Sequence, residues 1–420
     1  MNKLFIFFEN KKVGILERDQ ELIYSFSYSE EWIKDEDHFP LSLTLPITDQ
    51  KYGNKLTLSY FENLLPEGDV KDSIEKSQHL HGEYDFLAQY GKDCAGAIII
   101  TPDENFKYVQ GVARTEIIDL SKIYKAIEEK RSVAEVIAET TPGYLSLAGA
   151  QDKFPVIFKD NNFLMPIDGS PTTHIVKVPI WRNGVKDSVY NEYFCMELAR
   201  AVGLKVPRCF IVDGEHPLYV IERYDRKIDK KKVVHRLHQQ DFCQAQGVTS
   251  EFKYEAKGGP TLKNNYDLII EKVAATKKIE AMETYLNWIA FNLIIGNNDS
   301  HSKNISLLLK DKKIELAPIY DLICTAIYPK LKREFSFKIG DRDVFSKIGK
   351  NQFEMLEDQL DLKRNMMLEV LQVMNEKIFS KKDLLVTNLS DEHKDIAIFK
   401  RISDLIKDRS KSLKMQNALK

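Results

Sequence analysis

The stretch NNDSHSKNISLLL, residues 297–309, follows an apolar run, AMETYLNWIAFNLIIG, that closes on Gly296. The run has helical spacing and glycine is a common helix stop, so the chain leaves a helix, passes Asp299 and Asn304, and enters a β-rich segment. Loops fixed between rigid elements often carry chemistry, and a carboxylate with a carboxamide suits hard cations. ISLLL turns at KDKK and returns as IELAPIYD, which delivers Asp321, 17 residues after Asn304. Three oxygen acceptors would then converge on one magnesium site.

Working outward, an antiparallel sheet is expected upstream, from FPVIF, FLMPI and HIVKV joined by the turn-forming KDNN and DGSP. Ser188 is the expected N-cap of a helix through VYNEYFCMELARAVG, closed by Gly203, and LYVIERYD forms another strand. A small sheet with one long helix, followed by a mainly helical half, is the layout of protein-kinase-like enzymes. Phosphoryl transfer needs held phosphates, a bridging divalent metal and a carboxylate that orients the attacking hydroxyl. Asp299 and Asn304 have the five-residue spacing of a kinase catalytic aspartate and its metal-binding asparagine.

Lys177 in HIVKVP sits where a phosphate-contacting strand lysine belongs, and the following helix offers Glu192 as its partner, with Glu197 competing. GYLSLAGAQDK, 143–153, is rich in small residues. Ser146, Ala148, Gly149 and Ala150 would let backbone N–H groups approach an anion, with Gln151 beside them and Lys153 adding charge. YVIERYDR, 219–226, leaves the sheet where a hinge would offer backbone groups to adenine. His301 and Lys303 either stabilise transferred phosphate or line the turn.

The domain reading is a β-rich subdomain over 1–110, a small lobe with phosphate loop, lysine and hinge over 111–240, and a helical lobe with the catalytic loop over 241–420. The first contains the strands LFIFFE, KKVGILE, ELIYSFSY and AGAIIIT, and LSYFENLLPEGDVKDSIEK alternates helix and breaker signals. One helical pattern is expected from about 115 to 138. The 61 basic and 63 acidic residues give a net charge of −2, which argues against global attraction to nucleic acid or anionic membrane. Lysine and arginine dominate from 400 to 420, on a solvated helix face or a contact with an acidic partner. The scattered Cys94, Cys195, Cys209, Cys243 and Cys324 suggest neither disulfides nor zinc, and His235 and His238 in HRLH lack a third ligand. With no apolar segment long enough for a signal or a span, a cytoplasmic protein is expected.

SLAGAQDK, THIVKVP, VIERYDR, RLHQQDFCQAQG, KYEAKGGP, GNNDSHSKN and LAPIYDL, with FENLLPEGD and GKDCAGAI before them, resemble the ordered motifs of HipA-like serine/threonine kinases, toxins of bacterial toxin–antitoxin systems. The resemblance covers nearly the whole chain. It implies an α+β, protein-kinase-like two-lobed fold with an extra β-rich amino-terminal subdomain, using ATP and Mg2+. It implies Asp299 as catalytic aspartate, Asn304 and Asp321 as metal ligands, Lys177 as the ATP lysine, and Glu222 and Tyr224 at the adenine hinge. Ser146 matches the loop serine that family members autophosphorylate. The implied substrate is a protein, typically an aminoacyl-tRNA synthetase, and the implied partner is a HipB-like helix-turn-helix antitoxin that carries the DNA contact. The chain departs from ordinary protein kinases in having Asn297 and Asn298 before Asp299, and Leu322 and Ile323 after Asp321. A small-molecule or lipid kinase shares the Asp-to-Asn spacing, and a nucleotide-binding pseudokinase scaffold is the non-catalytic alternative.

Overall fold

The computed structural model describes residues 2–107, 114–140, 143–144, 148–167, 169–394 and 396–420. Two compact units emerge: Met1–Val178 with Val212–Ser250 and Ser306–Lys312, and Pro179–Ile211 with Glu251–Ile305 and Lys313–Lys420.

In the first unit, Asn2–Phe8 (β1), Lys11–Arg18 (β2), Tyr24–Tyr28 (β3) and Ile99–Thr101 (β4) form an antiparallel sheet in the order β3-β2-β1-β4. β1 is central, so Leu4, Phe5, Ile6 and Phe7 are all buried instead of alternating. Four helices accompany the sheet: Glu30–Lys34 (α1), Asn54–Phe61 (α2), Gly68–Gln78 (α3) and Glu83–Tyr90 (α4). Pro66 stands between α2 and α3, where the breaker signals lay.

The helical pattern expected from about 115 to 138 is divided. Thr115–Ile117 (β5) is a strand, and helices follow at Leu120–Glu129 (α5) and Val133–Thr140 (α6). The Asp119 carboxylate accepts from Ser121 N–H at 3.1 Å and starts α5, and left-handed Lys130 (φ 57°) ends it. The sheet expected beyond is present: Lys153–Lys159 (β6), Asn162–Pro166 (β7) and His174–Lys177 (β8) are antiparallel. After Cys209–Val212 (β9), most of which belongs to the second unit, comes Leu218–Glu222 (β10), and the first unit's strands run β5-β7-β6-β8-β10. Arg226–Ile228 (β11) pairs with Val234–Arg236 (β12), and Gln239–Asp241 (β13) pairs with Ser306–Lys310 (β14) ahead of the short helix Phe242–Gln246 (α8).

His238 is buried beneath the amino-terminal sheet region. Its ring stacks on Phe39 at 4.6 Å, and Nε2–H donates to Leu41 O at 2.8 Å. His235 instead meets Asp229 at 3.1 Å, so the two histidines of HRLH serve separate contacts.

In the second unit Ser188–Ala201 (α7) begins at Ser188 rather than being capped by it. Left-handed Asp187 holds the cap position without a side-chain bond, and Ser188 Oγ accepts from Ile180 N–H at 2.8 Å. Leu262–Lys272 (α9) precedes Ala275–Ile295 (α10), the apolar helix that ends on Gly296. Lys350–Gln359 (α11), Met366–Glu392 (α12) and Ala397–Met415 (α13) complete the unit, with α12 packed on α7, α10, α11 and α13. Glu357 of α11 is buried and caps α12, accepting from the N–H groups of Asn365 and Met367 at 2.8 Å and of Leu368 at 3.4 Å. On α13, Lys400, Arg401, Lys407, Lys411 and Lys414 are exposed, but Arg409 is buried. Its guanidinium donates to Leu293 O and lies 3.5 Å over the Phe345 ring, so it belongs to the core instead of the basic face.

Candidate active site

α10 sets the loop 297–304, the candidate catalytic loop. Gly296 has φ 76°, and a Cβ there would lie 2.7 Å from the Ala326 side chain, so both conformation and space call for glycine. Asn297 then joins three elements. Its Nδ2 donates to Asn292 Oδ1 at 2.8 Å and Asp321 O at 3.4 Å, and its Oδ1 accepts from Asp299 N–H at 3.1 Å. Asn298 fixes the outer side: its N–H donates to Thr325 Oγ1 at 2.7 Å, its amide donates to Lys332 O at 3.0 Å, and its carbonyl accepts from Ser336 Oγ at 2.9 Å. The two asparagines that break the ordinary kinase motif thus hold the loop backbone.

Every residue from Asn297 to Asn304 is buried except Asp299, which is exposed. A loop built mainly of buried polar side chains therefore presents one carboxylate to solvent. Asn304 donates its amide N–H to Asp299 O at 2.9 Å, and His301 N–H donates to the same carbonyl at 2.9 Å. With Nδ2 engaged, Oδ1 is the Asn304 atom left to face a cation. Asp321 is left-handed (φ 59°), an uncommon conformation for a non-glycine residue and one that gathers at functional sites. Its carbonyl is tied through Asn297 to the same loop. A carboxamide oxygen and a carboxylate are the hard donors that Mg2+ takes beside water and phosphate oxygens. Asp299, Asn304, Asp321, His301 and Lys303 thus come together in the second unit, with Tyr320 Oη donating to Lys303 O at 2.8 Å.

Lys177 and Lys153 lie on the sheet of the first unit. Lys177 of β8 is buried, stands opposite Lys153 on one side and Tyr219 on the other, and places Nζ 5.9 Å from the Tyr219 ring. Ser146 lies outside the described residues, whereas Ala148, Gly149, Ala150, Gln151 and Lys153 lie within them. Gly149 has φ 106° and its carbonyl accepts from Glu67 N–H at 3.1 Å. Asp152 anchors the far end of this segment by capping α6, accepting from Val133 N–H at 2.6 Å, Ala134 N–H at 2.9 Å and Ser132 Oγ at 3.1 Å. Burial pushes its carboxyl pKa up against these bonds. Glu192 is buried on α7 in the second unit, while Glu197, its competitor, is occupied by Arg200 at 3.2 Å and Cys209 Sγ at 3.5 Å.

At the expected hinge, Glu222 and Tyr224 are half-buried, and Tyr224 Oη donates to Gln239 Oε1 at 2.9 Å. The alternate residues point inward to a charged cluster that the sequence reading missed. Asp93, from GKDCAGAI, meets Arg226 at 2.8 Å, Arg223 at 2.9 Å and Arg236 at 3.4 Å, while Asp225 meets Arg223 at 2.9 Å and Arg226 at 3.0 Å. All five are buried. Burial alone would raise the Asp93 carboxyl, but the three guanidiniums outweigh it and hold it far below the usual range. Asp225 is lowered in the same way by Arg223 and Arg226.

Residues 4–101 match the HipA N-terminal domain and residues 145–381 match the HipA-like C-terminal domain. Y4mE of Sinorhizobium fredii is 36% identical over 348 residues, covering 81% of each chain. The serine/threonine-protein kinase toxin HipA of Shewanella oneidensis is 28% identical over 362 residues, 83% of this chain and 81% of that one. The solved structure of Shewanella oneidensis HipA with HipB and operator DNA has a TM-score of 0.83 at 24% identity, covering 99% of this chain and 98% of that one, and shows the same fold. The α+β architecture is therefore that of the protein-kinase-like class, and its chemistry is serine/threonine phosphorylation. Within that class, the chain belongs to the HipA family.

Proposed function

We propose that this chain is an ATP- and Mg2+-dependent protein kinase that serves as the toxin of a HipBA-type pair. The observation that carries this reading is the single exposed carboxylate, Asp299, on a buried loop beside Asn304 and Asp321. In this reading Asp299 takes the acceptor proton. The acceptor oxygen bonds to the γ-phosphorus, the bond from that phosphorus to its bridging oxygen breaks, and ADP leaves. Asn304 and Asp321 would hold Mg2+, which would supply charge neutralisation on the phosphates. Lys177 and Lys153 contact phosphate. Ala148, Gly149, Ala150 and Gln151 line the phosphate loop, Glu222 and Tyr224 flank adenine, and His301 and Lys303 stand near transferred phosphate.

The substrate is a cellular protein, with an aminoacyl-tRNA synthetase the first to test. The partner is a HipB-like antitoxin through which DNA is reached, and the setting is cytoplasmic. Among the described residues no helix is long and apolar enough to cross a membrane. Phosphorylation of Ser146 would place about −1.5 to −2 charges in a loop meant for phosphate, and so inhibit.

Incubation with Mg·ATP, followed by intact mass and peptide mapping, tests the reading. Phosphate on Ser146 is expected in the wild type and is expected to be absent in Asp299→Asn. Phosphate incorporation that survives Asp299→Asn would refute the assignment of Asp299.

A further inference from the structure

The segment KYEAKGGP, residues 253–260, has no part in the assignments above, yet it reaches the catalytic loop. Tyr254 Oη donates to Asp299 Oδ1 at 2.7 Å. Asp299 Oδ2 has no partner among the described residues. We infer that Tyr254 is a positioning residue for phosphoryl transfer: its phenol fixes one carboxylate oxygen of Asp299 so that the other meets the acceptor hydroxyl. This inference rests on the reading of Asp299 as the catalytic carboxylate.

The phenol could instead occupy the acceptor's own place and require displacement, but its surroundings argue for permanence. The Tyr254 ring meets His301 edge-on at 5.1 Å and 85°, and Lys332 Nζ lies 5.9 Å from its centroid. Its carbonyl accepts from Lys257 N–H at 3.0 Å and Gly259 N–H at 3.1 Å, which closes the segment into a tight turn. Gly258 is left-handed at φ 85°, and a Cβ on Gly259 would fall 1.8 Å from Phe252 O, so the paired glycines are what that turn demands. Glu255 Oε2 accepts from Lys338 N–H at 2.9 Å, tying the turn to the strand Glu334–Ile339. A hydroxyl anchored through its ring, its own carbonyl and the neighbouring side chain is built to stay. Chemically, this divides the labour of the carboxylate. Oδ1 accepts the hydrogen bond from the phenol throughout, with that proton staying on Tyr254 Oη, and Oδ2 receives the acceptor proton as the new O–P bond forms and ADP departs.

The test uses the full chain with Mg·ATP and follows ADP formation, which reports transfer to water or protein alike. Tyr254→Phe keeps the ring against His301 and removes only the hydroxyl. The expected result is a fall in kcat of roughly tenfold to a hundredfold, the effect of losing a hydrogen bond to a charged group, with the KM for ATP unchanged. Gly259→Ala, which disturbs the turn without touching the phenol, is expected to lower kcat in the same direction. An unchanged kcat in Tyr254→Phe, or a raised one as a displaceable phenol would give, overturns the inference while Asp299→Asn remains inactive. If Asp299→Asn keeps the wild-type rate, or the wild type forms no ADP, the reading of Asp299 falls and the inference with it.

Discussion

Replacing Asp93 with Asn should unbalance the first unit more than any surface substitution. The buried cluster holds three guanidiniums against two carboxylates, and the substitution changes its net charge from +1 to +2 without changing its volume. An amide nitrogen would also have to face a guanidinium or the Thr172 hydroxyl that now donates to Asp93. Removing one partner from a buried ion pair costs about 3–5 kcal/mol, and here three arginines share the loss. Domains are stable by about 5–15 kcal/mol, so the variant should retain a fold with much of its margin gone. At roughly 2–4 °C per kcal/mol for a unit of this size, the melting temperature should fall by about 10 °C. Hydrogen exchange would localise the effect to peptides covering β4, β8, β10 and β12. A variant that melts within about 3 °C of the wild type, with those peptides equally protected, would show that water or rearrangement compensates the arginines and would refute this account.

Two further predictions concern stability. His238 is buried and uncharged, with burial pushing its pKa from 6.5 down to about 4. The folded value lies below the unfolded one, so its contribution is present above about 6.5 and lost as pH falls through about 4, to the extent of roughly 3 kcal/mol. His238→Gln should flatten unfolding free energy across that window, and an equally steep acid loss in the variant would assign it elsewhere. Glu357→Ala removes three acceptor contacts from the start of α12 and should cost about 2 kcal/mol in urea unfolding, with faster exchange in the first turn of α12. A cost below about 0.5 kcal/mol would mean that water replaces the cap.

Local pattern carried much of this fold into view. α10 was legible from its periodicity and Gly296, and β6, β7 and β8 from β-branched runs between turn residues. The break at Lys130 was less so, because an ordinary lysine gives no sign that it will turn left-handed, and the residue that caps α6 is Asp152, far along the chain. Ser188 looked like a cap, but its hydroxyl found Ile180. At the candidate site, the spacing of Asp299, Asn304 and Asp321 was readable because it is short. Tyr254 lies 45 residues from Asp299, and Asp93 lies 130 from Arg223, separations at which no periodicity connects partners. The alternation in VIERYDR was the available signal for buried Arg223 and Asp225, since every second residue of an extended chain points the same way, whereas Arg226 is buried beside Asp225 and breaks the pattern.

The construction of the loop 297–304 separates its shape from its proposed chemistry. Asn297, Asn298 and Asn304 hold the backbone, whereas the Asp299 side chain bonds only the Tyr254 phenol among the described residues. On the proposed reading of Asp299, one base change in its codon, giving asparagine, would silence the reaction and leave a chain that folds and keeps its binding faces. A lineage that no longer gains from the chemistry has a short route to a purely associative protein, and the laboratory has the same route to a harmless stand-in for capturing partners.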